Sequence, residues 1–154
     1  MSTPQRLIYL PLGGAGEIGM NCYLYGYGPA DRERFILVDI GVSFPDMDGT
    51  PGVDLILPDI AWLAERADRL DGIFITHAHE DHIGALGHLY RHLKAPVFAR
   101  PFTAHHARRK LEEAGADPDA IVEAPVWPET VTAGPFTVGF APTSHSIPEA
   151  SALV

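Results

Sequence analysis

The stretch that decides the reading is "GIFITHAHEDHIGAL", residues 72–86. An apolar run ends at Thr76, and the six positions 77–82 then hold His77, His79, Glu80, Asp81 and His82. Imidazoles and carboxylates packed this closely contribute little to a core and repel their own kind when charged. A strand over 72–76 would deliver the chain to a loop at the sheet edge. In an extended loop His77 and His79 point the same way, because alternate residues share a face. Asp81 and His82 then fall in the first turn of a following helix, where the backbone bends back. Four N and O ligands can thus meet without long-range help. Such a set suits zinc, and also manganese or iron. With no cysteine among the ligands, it points to a catalytic site with open water positions rather than a closed structural one. A polar loop with Asp81 as helix cap is the competing reading; it would suffice for a lone His-x-His but not for His-x-His-x-Asp-His. Glu80 is read as solvent-facing, not as a ligand.

Working outward, "LIYLPL" (7–12) reads as a strand, followed by the glycine-rich "GGAGEIG" (13–19). "NCYLYGY" (21–27) and "RFILVDI" (34–40) read as two more strands joined by a turn. Residues 41–59 carry three prolines and three glycines and read as loop. Asp59 is expected to cap a helix with Ile60, Leu63, Ala67 and Leu70 on one face. Ile83, Leu86, Leu89, Tyr90 and Leu93 recur at helical spacing, so a helix opens near Asp81. "APVFA" (95–99) is a short strand; Thr103 is expected to cap a helix ending about Ala114, with Gly115 just beyond it. "FTVGFAP" (136–142) alternates as a strand does, and "ASALV" (150–154) looks like the opening of another. Strands first, then strand–helix–strand–helix–strand, describe an α/β domain.

The chain has 154 residues, 46% of them hydrophobic and 20% charged, which fits one globular domain. Its longest apolar runs are too short to cross a bilayer, and its first residues lack the apolar core of a signal peptide. The lone Cys22 excludes an internal disulfide and fits a reducing compartment, so the cytoplasm is expected. A net charge of −9 argues against a stand-alone nucleic-acid module.

At its His-x-His-x-Asp-His loop the sequence resembles the metallo-β-lactamase superfamily. "LPLGGAGEIGMNCYLY", "GVSFP", "GVDLILPDI", "THAHEDHIGAL" and "TSHSIPEASAL" together look like the ribonuclease J family of its β-CASP branch, along nearly the whole chain. One departure is Ala78, where a glycine would be usual. The resemblance implies an αββα sandwich of which residues 1–154 form the N-terminal part, one mixed sheet with flanking helices, ending before the β-CASP insertion. It implies a first metal held by His77, His79 and His145, and a second held by Asp81 and His82, zinc or else manganese. Asp39 would be the structural carboxylate that orients the metal loop, and Asp81 would double as the catalytic group that orients hydroxide.

The activity so implied is metal-dependent hydrolysis of RNA phosphodiesters, 5′-to-3′ exonucleolytic with an endonucleolytic component, in RNA maturation and decay. RNA would be bound mainly by a downstream domain, and the complete enzyme is expected to be a homo-oligomer with no membrane association. An aspartate bridging both metals and a further histidine would lie beyond Val154. The chain alone is therefore expected to hold at most one metal firmly and to turn over negligibly. Two alternatives stand beside this: a thioester or lactone hydrolase of the same superfamily, and a metal-binding scaffold without catalysis.

The remaining candidates favour plainer readings. His88 and His92 lie four apart on a helix, opposite its apolar stripe, as a solvated face would. His105 and His106 lead into "RRK", a surface patch. "GGAGEIG" matches G-x-G-x-x-G at Gly14, Gly16 and Gly19, but a strand rather than a helix follows it, so no dinucleotide unit is expected. Cys22 sits in a strand pattern and should be core.

Overall fold

The computed structural model describes residues 4–46 and 49–154. The expected loop at 41–59 includes residues 47 and 48, and the N-terminal stretch includes residues 1–3; those positions lie outside the described residues. Nine strands run in chain order among the described residues: β1 (Gln5–Gly13), β2 (Cys22–Pro29), β3 (Arg34–Val38), β4 (Leu70–Ile75), β5 (Val97–Ala99), β6 (Ile121–Glu123), β7 (Thr130–Ala133), β8 (Phe136–Pro142) and β9 (Ser151–Leu153). The helices are α1 (Ala61–Ala64), α2 (Glu80–Ile83), α3 (Leu86–Leu93) and α4 (Pro101–Glu113).

The first six strands form one sheet in sequence order. β1 to β3 pair antiparallel and β3 to β6 parallel, so the sheet is mixed. Each parallel step crosses over through helical segments, which must then cover one face. The period of two sorts the strand residues between two cores. Phe35, Leu37, Ile73, Ile75, Val97 and Ala99 face the helices, where they meet Leu63, Ile83, Leu86, Leu93, Ala107 and Leu111. Ile36 and Phe74 point the other way, onto Val138 and Phe140 of a second, antiparallel sheet in the order β7-β8-β9. Phe98 joins this side, with its ring centroid 5.0 Å from that of Phe74. The layers are helix, mixed sheet, second sheet. Cys22 is buried as expected.

Three local expectations differ from what is found. The helix expected from Asp59 to Leu70 lasts one turn: α1 gives way to a 3-10 turn at Ala67–Arg69, and Leu70 opens β4. Asp59 accepts from the Ala61 amide at 2.9 Å, but Ile60 occupies the cap position. Leu70 keeps helical spacing only by coincidence, since its partner is Phe35 in the parallel ladder. The helix expected to open near Asp81 is broken at Gly84 and Ala85 into α2 and α3. The carbonyls of Glu80, Asp81 and His82 accept from the amides of Val42, Asn21 and Ile40, which ties the first turn to the ends of β2 and β3. Ala85 donates to Ile40 instead of continuing the helical ladder. Finally, Thr103 is no cap. It lies fully buried inside α4, which starts with Pro101 in its first turn, where the missing N–H costs nothing. Gly115 does follow the helix end, at φ +69°.

Candidate metal centre

β3 and β4 run parallel, so Val38 and Ile75 end on the same edge of the sheet. Ligand sites in such sheets form at the carboxyl ends of the strands. Asp39 follows β3 and Thr76 follows β4, and they are joined at once. Asp39 accepts from the Thr76 amide at 2.8 Å and from its hydroxyl at 2.9 and 3.1 Å, while its own amide donates to the Phe74 carbonyl. The Asp39 carboxylate is 2% exposed, on backbone at φ +59°, a conformation that Asp and Asn tolerate better than most residues. Its second oxygen lies 2.7 Å from Nδ1 of His82.

That bond favours the His82 tautomer with the proton on Nδ1, toward Asp39, and leaves Nε2 as an acceptor, 3.1 Å from the Asn21 amide nitrogen. Burial pushes the Asp39 carboxyl above its ordinary range, and the bonds from His82 and Thr76 only partly counter it. Burial alone would lower His82, but its bond to Asp39 and the charges of Asp39 and Asp81 lift it above the usual histidine value.

Thr76 extends the network. Its hydroxyl, donating to Asp39, accepts from Nδ1 of His77 at 3.0 Å. Nε2 of His77 is then a bare lone pair, buried and without a hydrogen-bond partner. Such an atom is costly to leave unsatisfied. His79 and His145 complete its surroundings: ligand nitrogens of His77, His79 and His145 all lie within 4.8 Å of one another, and His79 Nδ1 is 3.1 Å from His145 Nε2. The His82 ring stands 4.0 Å from that of His77, centroid to centroid. Burial, reinforced by the charges of His82, His145 and His79, pushes His77 down to about 4. It is neutral at neutral pH, as a ligand must be.

A donor set of three converging imidazoles with an orphaned buried lone pair fits a divalent cation. The sequence-derived residues thus separate into a trio, His77, His79 and His145, and a neighbouring pair, with Asp81 Oδ2 3.4 Å from His82 Nε2. Glu80 points away and pairs with Lys110 at 2.8 Å. His88, His92 and His105 are exposed and do not belong to the trio.

Sequence reasoning missed Asn21. Its side-chain amide donates to the carbonyl and to Oδ2 of Asp81 at 3.1 and 3.2 Å, and lies 3.1 Å from His82 Nε2. Both Asp81 atoms are acceptors, which fixes the orientation of the amide; its oxygen accepts from the Tyr23 hydroxyl at 2.9 Å. Gly41 was also missed. A Cβ there would meet the Asp81 carbonyl oxygen at 1.7 Å, so only glycine lets the segment after β3 lie against the metal loop. A cleft of about 450 Å³, bordered by Ile18, Val42, Phe44, His79 and Asp81, opens beside the centre.

The fold and this constellation define a candidate metal-binding scaffold, and the chain belongs to the metallo-beta-lactamase superfamily, whose model matches residues 15–148. It is similar to a ribonuclease J of Sinorhizobium meliloti, 49% identical over 157 residues that take in all of this chain and 27% of that protein. It is also similar to a ribonuclease J 1 of Streptococcus pyogenes serotype M3, 36% identical over 98% of this chain and 26% of that protein. The chain thus spans about a quarter of the length of these curated relatives. The metallo-beta-lactamase fold protein YhfI of Bacillus subtilis superposes with a TM-score of 0.56, at 21% identity, over 94% of this chain and 55% of that one. That likeness concerns the fold alone. No helix among the described residues is long and apolar enough to cross a membrane.

Proposed function

We propose that this chain is the metal-binding N-terminal part of a ribonuclease that hydrolyses RNA phosphodiesters. The observation that carries the reading is the orphaned Nε2 of His77, facing His79 and His145, in a chain 49% identical to a ribonuclease J along its whole length. On this proposal His77, His79 and His145 hold one zinc ion, and Asp81 and His82 belong to the position of a second. A bound divalent ion supplies Lewis acidity to a phosphoryl oxygen and lowers the pKa of water.

What the chain's own residues contribute follows from their bonds. Asp39 and Thr76 keep His82 and His77 in the tautomers that present Nε2. Asn21 holds one carboxylate oxygen of Asp81, which leaves the other to accept a hydrogen bond from the attacking water and so aim it. The cleft at Phe44 and Ile18 offers room for a nucleotide next to the centre. The domain is proposed to continue past this stretch into an RNA-binding insertion, in a cytoplasmic, homo-oligomeric enzyme with 5′-to-3′ exonuclease and endonuclease activity; the single cysteine and the similarity to ribonuclease J relatives support that reading.

The test is incubation of 5′-monophosphorylated, end-labelled RNA with zinc-loaded protein spanning the full length of these relatives. Stepwise shortening, abolished by His77→Ala, is expected. Intact RNA in the presence of stoichiometric bound zinc would overturn the proposal.

A further inference from the structure

His145 is the member of the trio with the weakest local support. It sits in the segment between β8 and β9, residues 143–150, whose side chains are nearly all exposed. The segment is closed at its base by the Thr143 amide donating to the Ala150 carbonyl at 2.9 Å, and Ser151 donates to the Thr76 carbonyl at 3.1 Å. Between these backbone ties, one side chain of the segment besides His145 itself makes hydrogen bonds to another element among the described residues. Glu149 accepts from the Phe102 amide at 2.6 Å through one oxygen and from Arg100 at 3.3 Å through the other. Arg100 in turn donates to the Ala124 carbonyl at 2.7 Å.

Phe102 is in the first turn of α4, where amides lack helical partners and a negative charge is favoured. The residue before the helix supplies no side-chain cap. The cap comes instead from 47 positions away. Glu149 holds this pose at φ +56°, in the left-handed region, a cost that a side chain accepts only where its surroundings compensate.

We propose that Glu149 is a positioning residue: by clamping the His145 segment onto the start of α4, it holds His145 against His77 and His79. The inference rests on reading these three histidines as a cation site. It adds a residue that touches no ligand nitrogen and acts through His145 alone.

Zinc affinity, read by competition with a chromophoric chelator, tests this on Glu149→Gln, Glu149→Ala, His145→Ala and the double variant. Residues that orient metal ligands typically alter affinity about 10- to 100-fold. Glu149→Ala is expected to weaken zinc binding by about tenfold or more. Glu149→Gln, whose oxygen can still accept from Phe102, should keep most of the affinity. In the double variant Glu149→Ala should add nothing to the loss from His145→Ala, because the route through His145 is already gone. Additive losses, or unchanged affinity in Glu149→Ala, would overturn the proposal.

Amide exchange of Thr143 provides a readout without metal: Glu149→Ala should speed it by about tenfold or more as the base of the segment opens. Unchanged protection would overturn the clamp even if zinc binds. If the unaltered chain takes up no zinc, the cation reading fails by itself, while faster Thr143 exchange in Glu149→Ala still upholds the clamp.

Discussion

Replacing Asp39 separates its structural role from its effect on the metal loop. Asp39→Ala removes the acceptor for three partly buried donors; the Thr76 hydroxyl can turn to another acceptor, but the Thr76 amide and His82 Nδ1 cannot. Each stranded donor costs about 1–3 kcal/mol. Alanine at φ +59° adds about 1 kcal/mol. Loss of a carboxyl that burial already disfavours returns part of this, so a net destabilisation of about 4 kcal/mol is expected. In a domain of this size that lowers the melting temperature by about 8–16 °C.

Asp39→Asn is milder for stability and harsher for the site. Its oxygen can still accept from Thr76, and Asn tolerates the backbone angle, so about 1–2 kcal/mol is lost with the charge-assisted bond. The amide nitrogen, however, now donates toward His82 Nδ1 and drives the ring proton onto Nε2, the nitrogen proposed to bind a cation. Urea unfolding followed by circular dichroism measures the first effect, and nitrogen-15 NMR of the imidazole reads the tautomer. If Asp39→Ala unfolds within about 0.5 kcal/mol of the parent, or if His82 keeps its proton on Nδ1 in Asp39→Asn, the network is wrongly assigned.

Three further outcomes follow from the same geometry. Gly41→Ala, whose Cβ would sit 1.7 Å from the Asp81 carbonyl oxygen, should push the metal loop off β3 and leave little soluble, folded protein; normal yield and melting would contradict this. His77, held down at about 4 in the folded chain against about 6.5 unfolded, makes the unfolded state bind more protons between these values. The contribution of His77 to the stability of the zinc-free chain should therefore fall by about 1–2 kcal/mol as pH drops from about 6.5 to 4, read as the difference between the parent and His77→Gln in urea titrations across that range. Cys22, fully buried and pushed up to about 12 by burial and by the charge of Asp39, should resist alkylation at pH 8 until denaturant is added.

How much was legible in the sequence depended on how local each feature was. His77, His79, Asp81 and His82 lie in one short loop, and their spacing alone pointed to a ligand set. His145 reaches the trio from 66 positions beyond His79, and only the resemblance to a known family singled it out. Asn21 was invisible for a related reason: its partner Asp81 is 60 residues away, and nothing in "MNCYLYGY" marks the asparagine as other than a strand residue.

β3 and β4 were legible as short, nearly unbroken apolar runs because both faces are buried, one against helices and one against the second sheet. The helix expected over 59–70 did not, since tertiary pairing of Leu70 with Phe35 outweighed a weak periodic signal. β7, four residues long and partly exposed, carried too little pattern to be recognised, and the cap of α4 came from Glu149 rather than from the nearby Thr103.

The central claim is that His77, His79 and His145 form a cation site. Elemental analysis of the zinc-equilibrated, desalted chain beside His77→Ala tests it most directly. One firmly held zinc per chain, lost in His77→Ala, is the predicted result. No bound metal in the parent chain, or the same content in the variant, would contradict it.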